Sequence, residues 1–223
     1  MTFFSIPLLL LVCMTLPIAA QTVVLESPAA KVVIELAGGA ISDFHLAGQD
    51  LNPLRWELNS DKLTPRLKGH FLCLDRWGAP TEAELQNGMP FHGEAPRMTW
   101  QSQAQPRKTT GGMEVEMAAS LPMAGLDVTR RIRLSESAAF FTVTEIVTNR
   151  NTLGRIYNMV QHPTIGPPFL DERTLVDSNA RRGFMQNSPL PNPEQPSVNW
   201  PEALEKSGSD RPTARRNTSG SLV

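Results

Sequence analysis

The sequence is 223 residues long, and its 21 Lys and Arg residues nearly balance its 22 Asp and Glu residues, leaving a formal net charge of -1. This length is sufficient for one domain with a sizeable hydrophobic core. A chain without a basic excess has no positive field to hold phosphate backbones, so nucleic acid is excluded as an expected partner.

The N-terminus has the pattern of a secretory signal peptide. An apolar run over residues 3–16 is followed by small residues that end just before Gln21. We therefore predict a signal peptide over 1–20 that is cleaved near Ala20. A secreted or periplasmic location follows from this prediction.

Two other interpretations of the N-terminus stay open. An uncleaved membrane anchor is disfavoured because Pro7 and Pro17 shorten the uninterrupted apolar span. A lipoprotein attached through Cys13 is the third, although larger residues precede this cysteine than lipidation prefers. Cleavage near Ala20 would remove Cys13 and leave Cys73 alone, so neither an intramolecular disulfide nor a structural zinc site is expected.

Short β-type runs follow the signal peptide. Three of them are predicted to be strands: 22–25, 31–36 and 41–46. Gly38 and Gly39 supply the turn between the last two strands. Residues 50–70 contain few apolar side chains, and residues 75–98 are rich in Gly and Pro, which predicts a long excursion without regular structure. No helix is predicted before about residue 200.

The clearest β signal is the alternation of apolar and polar residues over 126–134, which predicts a half-buried antiparallel strand. Arg130 is the one polar residue on the apolar face. The pair Arg130 and Arg131 is nevertheless expected to mark a solvated face. The β-branched run 140–148 completes a hairpin. A further strand over 156–161 places His162 at its end.

These patterns predict an all-β domain, a large antiparallel sandwich, over residues 21–186. The composition then changes to a Pro-rich segment and a tail expected to be disordered, together covering 187–223. A β domain ending there would leave edge strands unpaired, so the sandwich is expected to be incomplete at its C-terminus.

Two histidines in loop-like contexts carry the functional prediction. His92 lies within residues 88–94, and His162 lies at the end of residues 157–163. Imidazole gives or takes a proton near neutral pH. Two such groups in one cleft would suit proton transfer on an uncharged substrate.

The order of several short motifs resembles the aldose 1-epimerase (galactose mutarotase-like) family. The motifs are a glycine-rich early hairpin at 38–41, an arginine-bearing loop at 69–78, a His-Gly motif within 88–95 and the strand-end His162. The resemblance covers roughly residues 32–185. It implies a large β-sandwich in which these motifs line one sugar cleft.

The resemblance also implies roles for single residues. His92 would match the histidine that hydrogen-bonds the sugar near its ring oxygen, and His162 the general acid that protonates that oxygen. Arg76 would match an arginine that binds sugar hydroxyls, with Asp75 as a helper. Ring opening, rotation about the bond beside the new carbonyl, and closure would then give the other anomer.

An aromatic wall is a further requirement, because the C–H faces of a sugar are apolar. Trp77 and Phe91 are placed to provide it.

The sequence departs from the family pattern in two respects, and these departures leave two hypotheses open. The family's general base is a glutamate near the C-terminal end of the domain, and this chain is expected to end before that region. In addition, Gln161 and Pro163 replace the asparagine and aromatic residues of better-known members. The first hypothesis is an aldose 1-epimerase-like protein, an isomerase if its site is complete. The alternative is a non-catalytic carbohydrate-binding β-sandwich module. Either would bind a small aldose or a glycan end, with no cofactor, no metal and no stable membrane insertion.

Overall fold

The computed structural model describes residues 22–58 and 65–169, together with the backbone of four short strands farther along the chain. The predicted signal peptide, 1–20, lies outside these residues, as does Cys13. Within the described part, no helix is long and apolar enough to cross a membrane.

Strands dominate the described residues. They are β1 (Thr22–Glu26), β2 (Ala30–Glu35), β3 (Ile41–Leu46), β4 (His70–Leu74), β5 (Gln101–Ser102), β6 (Arg107–Thr109), β7 (Gly112–Leu121), β8 (Leu126–Ser135), β9 (Phe141–Asn149), β10 (Met159–Pro163), β11 (Arg182–Phe184), β12 (Ser197–Asn199), β13 (Ala203–Lys206) and β14 (Pro212–Arg215). One short α-helix, α1 (Glu82–Gln86), and one 3₁₀-helix, Ala95–Arg97, complete the described elements.

Two antiparallel sheets form a sandwich. The first has the strand order β1-β2-β3-β4-β10, and the second has the order β5-β7-β8-β9 with β6 also paired to β7. Apolar side chains from both sheets pack into one core, and its members include Val32, Ile34, Leu72, Met117, Val128 and Ile132. The predicted all-β antiparallel class is confirmed.

The first hairpin confirms the predicted turn at Gly38 and Gly39. Both glycines have positive φ angles, 84° and 65°, which side chains disfavour. A Cβ atom at Gly39 would lie 2.4 Å from Nε1 of Trp100. The turn therefore depends on glycine both for its backbone conformation and for the close approach of the indole ring.

Helix α1 corrects the prediction of an excursion without regular structure at 75–98. It begins with a capping box in which the Thr81 hydroxyl accepts from the Glu84 N–H while the Glu84 carboxylate accepts from the Thr81 N–H. Thr81 and Glu84 were the available sequence signal. A helix of one turn leaves no periodic pattern, so a search for periodicity does not find it.

Strand β10 begins later than predicted. The sequence predicted a strand over 156–161, whereas β10 covers Met159–Pro163 and includes His162. It pairs only with β4 among the described strands and lies at the edge of the first sheet.

Arg130 is fully buried, which corrects the expectation of a solvated face. Its Nη2 lies 2.6 Å from Oε1 of Glu145, the residue directly opposite on β9. Its Nη1 donates to the Gly39 carbonyl at 2.6 Å, and its guanidinium lies 4.9 Å from the centre of the Trp100 ring. The alternation of β8 directs residue 130 inward, and the paired strand supplies its counter-charge.

The predicted domain limits stay predictions. Most of the expected Pro-rich segment and tail, 187–223, lies outside the described residues. Its described backbone forms parts of two ribbons, in which β11 pairs with β12 and β13 pairs with β14.

The buried ion pair gives a first prediction. Glu145→Gln removes the counter-charge of a guanidinium that has no access to water, so we expect a loss of about 3–5 kcal/mol in the free energy of unfolding. The double variant Arg130→Met/Glu145→Leu should recover most of that loss, because neither charge remains. Urea unfolding measures both, and a Glu145→Gln variant as stable as the parent would contradict the prediction.

Candidate functional site

The structure brings the two predicted histidines together on the outer face of the first sheet. The ring centres of His92 and His162 are 5.2 Å apart, at an interplanar angle of 82°. Phe71 of β4 lies beneath both: His162, directly opposite it on β10, stacks on its ring at 4.4 Å, and His92 meets it edge-on at 5.5 Å. One aromatic side chain therefore supports both imidazoles.

His92 is held by its own backbone and by Gly78. Its φ angle is 67°, an uncommon left-handed conformation for a residue with a side chain. Its N–H donates to the Gly78 carbonyl at 3.0 Å, and the Gly78 N–H donates to its Nδ1 at 3.1 Å. Next to it, Gly93 approaches Leu74 so closely that a Cβ atom would lie 2.5 Å from the Leu74 oxygen. These contacts preorganise the ring.

The contacts of His92 also set its protonation. Because Nδ1 accepts the Gly78 N–H, the ring proton of the neutral form is on Nε2. Burial lowers the pKa of His92 to about 4, and the positive charges of His162 and Arg97 act in the same direction. Near neutral pH, His92 is therefore a neutral donor through Nε2–H.

His162 is half-buried and has fewer contacts. Its Nδ1 lies 3.2 Å from the Thr164 hydroxyl oxygen, and burial lowers its pKa from the ordinary value. The neutral form therefore predominates near neutral pH. Such a ring can take up a proton and return it, which is the property that acid–base chemistry requires.

Cys73 lies behind the histidine pair. Its Sγ is 3.4 Å from Nδ1 of His92, and burial raises the pKa of the thiol to about 12. The group stays protonated and unreactive at neutral pH, because the thiolate is the nucleophilic form. Cys73 therefore contributes packing and a weak polar contact rather than chemistry.

The predicted sugar-binding residues Arg76 and Asp75 make ion pairs. Nη2 of the buried Arg76 lies 2.5 Å from Oε1 of Glu84 on α1. A carboxylate oxygen of Asp75 lies 2.5 Å from Nη2 of Arg155. These ion pairs stabilise the loops beside the histidines. That Arg76 and Asp75 contact a sugar stays a prediction.

Phe91 and Trp77, the two residues of the predicted aromatic wall, differ in exposure and packing. Phe91 is 38% exposed and its ring centre lies 4.0 Å from that of His92. Trp77 is half-buried and packs against a small apolar cluster on the outer face of the first sheet: Ala40, Leu67, Phe71 and Cys73. Phe91 therefore offers an accessible apolar surface, whereas much of Trp77 serves packing.

Arg97 is a site residue that sequence reasoning missed. It ends the 3₁₀-helix that follows His92, and its charge contributes to lowering the pKa of His92. Its Nη1 donates to the Pro65 carbonyl at 3.0 Å, and its buried Nη2 has no hydrogen-bond partner among the described residues. An arginine five residues after the His-Gly histidine was the available signal.

The carboxylates described near the histidines are engaged. Asp75 and Glu84 form the ion pairs given above, and Glu94 accepts the backbone N–H groups of Met123 and Ala124 at 3.2 and 2.8 Å. Over the described ranges, no three His, Cys, Asp or Glu side chains are grouped closely enough to hold a metal ion.

Comparison with known proteins finds one distant structural likeness. No protein-family profile matches the chain, and no curated protein matches it. The chain is similar to the crystal structure of a "putative mutarotase (YeaD)" from Salmonella typhimurium, with 18% sequence identity and a TM-score of 0.39. The match covers 50% of this chain and 39% of that one. A functional argument therefore depends on the residues described above.

The lowered pKa of His92 predicts a pH dependence of stability. Between pH 6.5 and about 4 the unfolded chain takes up a proton at this residue that the folded chain does not, so stability falls as the pH falls through this window. His92→Gln removes this contribution and should lose less stability between pH 7.5 and pH 4.5. Urea unfolding at both pH values measures the difference.

His45→Gln is the control for that experiment, since His45 lies on β3, where it contacts Asp43. Parallel losses in the parent and in His92→Gln would contradict the prediction.

Proposed function

We propose that this domain binds an aldose against the His92–His162 face and interconverts its α and β anomers. The observation that carries the proposal is the approach of the two imidazoles to 5.2 Å on a shared phenylalanine. Anomerisation requires a proton to be delivered to the ring oxygen and another to be removed from the anomeric hydroxyl; His162 suits the delivery, and the neighbouring neutral His92 can donate a hydrogen bond to the same oxygen.

The reaction consists of ring opening and ring closure. The bond between the anomeric carbon and the ring oxygen breaks, the ring oxygen takes up a proton, and the anomeric hydroxyl loses its proton to become a carbonyl. Rotation about the adjacent carbon–carbon bond presents the other face of the carbonyl. Closure reverses both proton transfers, so no net oxidation or group transfer occurs.

Each histidine has a distinct proposed part. His162, in its protonated form, delivers the proton to the ring oxygen and recovers it on closure. His92 donates a hydrogen bond from Nε2–H near the same oxygen, because its Nδ1 already accepts from Gly78. Phe91 provides an apolar surface for the C–H face of the sugar. Arg76 and Asp75 are the proposed contacts to sugar hydroxyls.

A second candidate is a carbohydrate-binding module without turnover. The engagement of Asp75, Glu84 and Glu94 favours it, because none of these carboxylates is available to take the anomeric proton. In the catalytic scheme that proton goes to water. A free aldose or the end of a glycan is the proposed ligand in both cases.

Secretion is a proposal as well. It depends on the apolar N-terminal run and on the small residues before Gln21. We expect the exported chain to begin at Gln21, and N-terminal sequencing of the protein recovered outside the cytoplasm tests this. An exported chain that still begins at Met1 would reject cleavage.

Polarimetry on freshly dissolved α-glucose and α-galactose tests the catalytic proposal. We expect the protein to accelerate the approach to anomeric equilibrium over the spontaneous rate. His162→Ala should lower kcat about 10²-fold, because it removes the proposed acid–base group. His45→Ala is the matched control and should retain the parental rate.

Equal rates for the parent and His162→Ala would reject catalysis by this histidine. Calorimetric titration with the same sugars then distinguishes the two candidates: binding without acceleration supports the carbohydrate-binding module, and absence of binding rejects both.

A further inference from the structure

We propose that Gln161 is a positioning residue for His162, and that it acts by tying strand β10 to the buried Arg130–Glu145 ion pair. The inference rests on the proposed function for its catalytic consequence. Its structural part stands on contacts among β4, β8, β9 and β10, which lie in different sheets.

Gln161 and His162 occupy opposite faces of β10, because successive side chains of a strand alternate. His162 lies opposite Phe71 on the outer face, whereas Gln161 lies opposite Leu72, a residue of the core between the sheets. The side chain of Gln161 therefore contacts the second sheet while its neighbour forms the candidate site.

The amide of Gln161 joins two groups. Its Nε2 donates to Oε2 of Glu145 on β9, and its Oε1 lies 2.8 Å from Nε2 of His70 on β4. A carboxylate only accepts hydrogen bonds, so the NH₂ group must face Glu145. The amide oxygen then faces His70, whose Nε2 must carry the proton.

Glu145, which accepts the hydrogen bond of Gln161, is itself held by buried contacts. Only 4% of the Glu145 side chain is exposed, and its other oxygen accepts from Nε of Arg130 at 2.7 Å. Arg130 is in turn held by the Gly39 carbonyl. Gln161 thus connects an edge strand to a group that the core holds in one position.

Strand β10 is otherwise held by β4, by backbone hydrogen bonds of Asn158 and Thr164 at its two ends, and by packing of Val160 against the cluster around Phe71. It is five residues long, alternates between exposed and half-buried positions, and has β4 as its only described neighbour. The segment before it is exposed: Leu153 and Ile156 are 78% and 95% accessible. Without Gln161, the position of His162 would depend on the short β4–β10 ladder and on the contacts of its ring with Phe71, His92 and Thr164.

The test is the variant Gln161→Met, which keeps the side-chain length and removes both polar contacts. The readout is the imidazole NMR resonance of His162, assigned by its absence in His162→Ala. Stacking on Phe71 shifts that resonance through the aromatic ring current. We expect it to move toward the position of an unstacked histidine in Gln161→Met. We also expect kcat to fall roughly 10- to 100-fold with KM nearly unchanged, because the proton donor is misplaced.

Val115→Ala is the matched control, since Val115 is a buried core residue of β7 that lies opposite Ile132, and not Arg130, in the β7–β8 register. It should lower the free energy of unfolding while leaving the His162 resonance and kcat at parental values. An unchanged resonance in Gln161→Met overturns the proposal; if the parent is active, a moved resonance with unchanged kcat overturns its catalytic part. If the His162 resonance moved equally far in Val115→Ala, the shift would reflect a general loss of stability, and the proposal would be overturned too.

The proposed function and this inference can fail separately. If the parent does not accelerate anomerisation but the resonance moves only in Gln161→Met, positioning of His162 stands and the catalytic proposal falls. If the parent is active and Gln161→Met leaves both readouts unchanged, the catalytic proposal stands and the positioning role falls.

Discussion

The buried charge of Arg130 is the constraint on which the rest of this sandwich depends. Removing a guanidinium from water is costly unless a counter-charge and hydrogen-bond acceptors replace the lost hydration. Here Glu145 supplies the charge and Gly39 supplies a carbonyl. Because these partners come from a β8–β9 hairpin and from a turn of the other sheet, satisfying one side chain places both sheets relative to each other.

The buried charge of Arg130 helps to place the first sheet, and the candidate site lies on the outer face of that sheet. Alternation along β10 places Gln161, at an exposed edge position, on the face toward the second sheet and His162 on the other face, so adjacent residues join the Arg130–Glu145 pair to the candidate site. The outer face then places two neutral imidazoles beside Phe71, with Phe91 exposed next to them. Proton transfer on an uncharged, partly apolar ligand is the chemistry that this combination suits best.

Local patterns predicted much of the fold, and their failures have physical causes. The alternation over 126–134 predicted β8 within one residue, because a period of two is a property of the backbone. The same pattern placed Arg130 on the apolar face, but its burial depended on Glu145 lying opposite in the β8–β9 register. Helix α1 was missed because its signal is a capping box and not a period.

The sequence by itself determined the β class, the order of the hairpins and the presence of two histidines in loop-like contexts, since periodicity, turn residues and side-chain chemistry are local properties. Only the tertiary structure decided that His92 and His162 meet, that Gly78 fixes the tautomer of His92, and that the charge of Arg97 acts with burial to lower the pKa of His92. These facts depend on the β4–β10 register and on loop contacts between residues far apart in the chain, which no local pattern encodes.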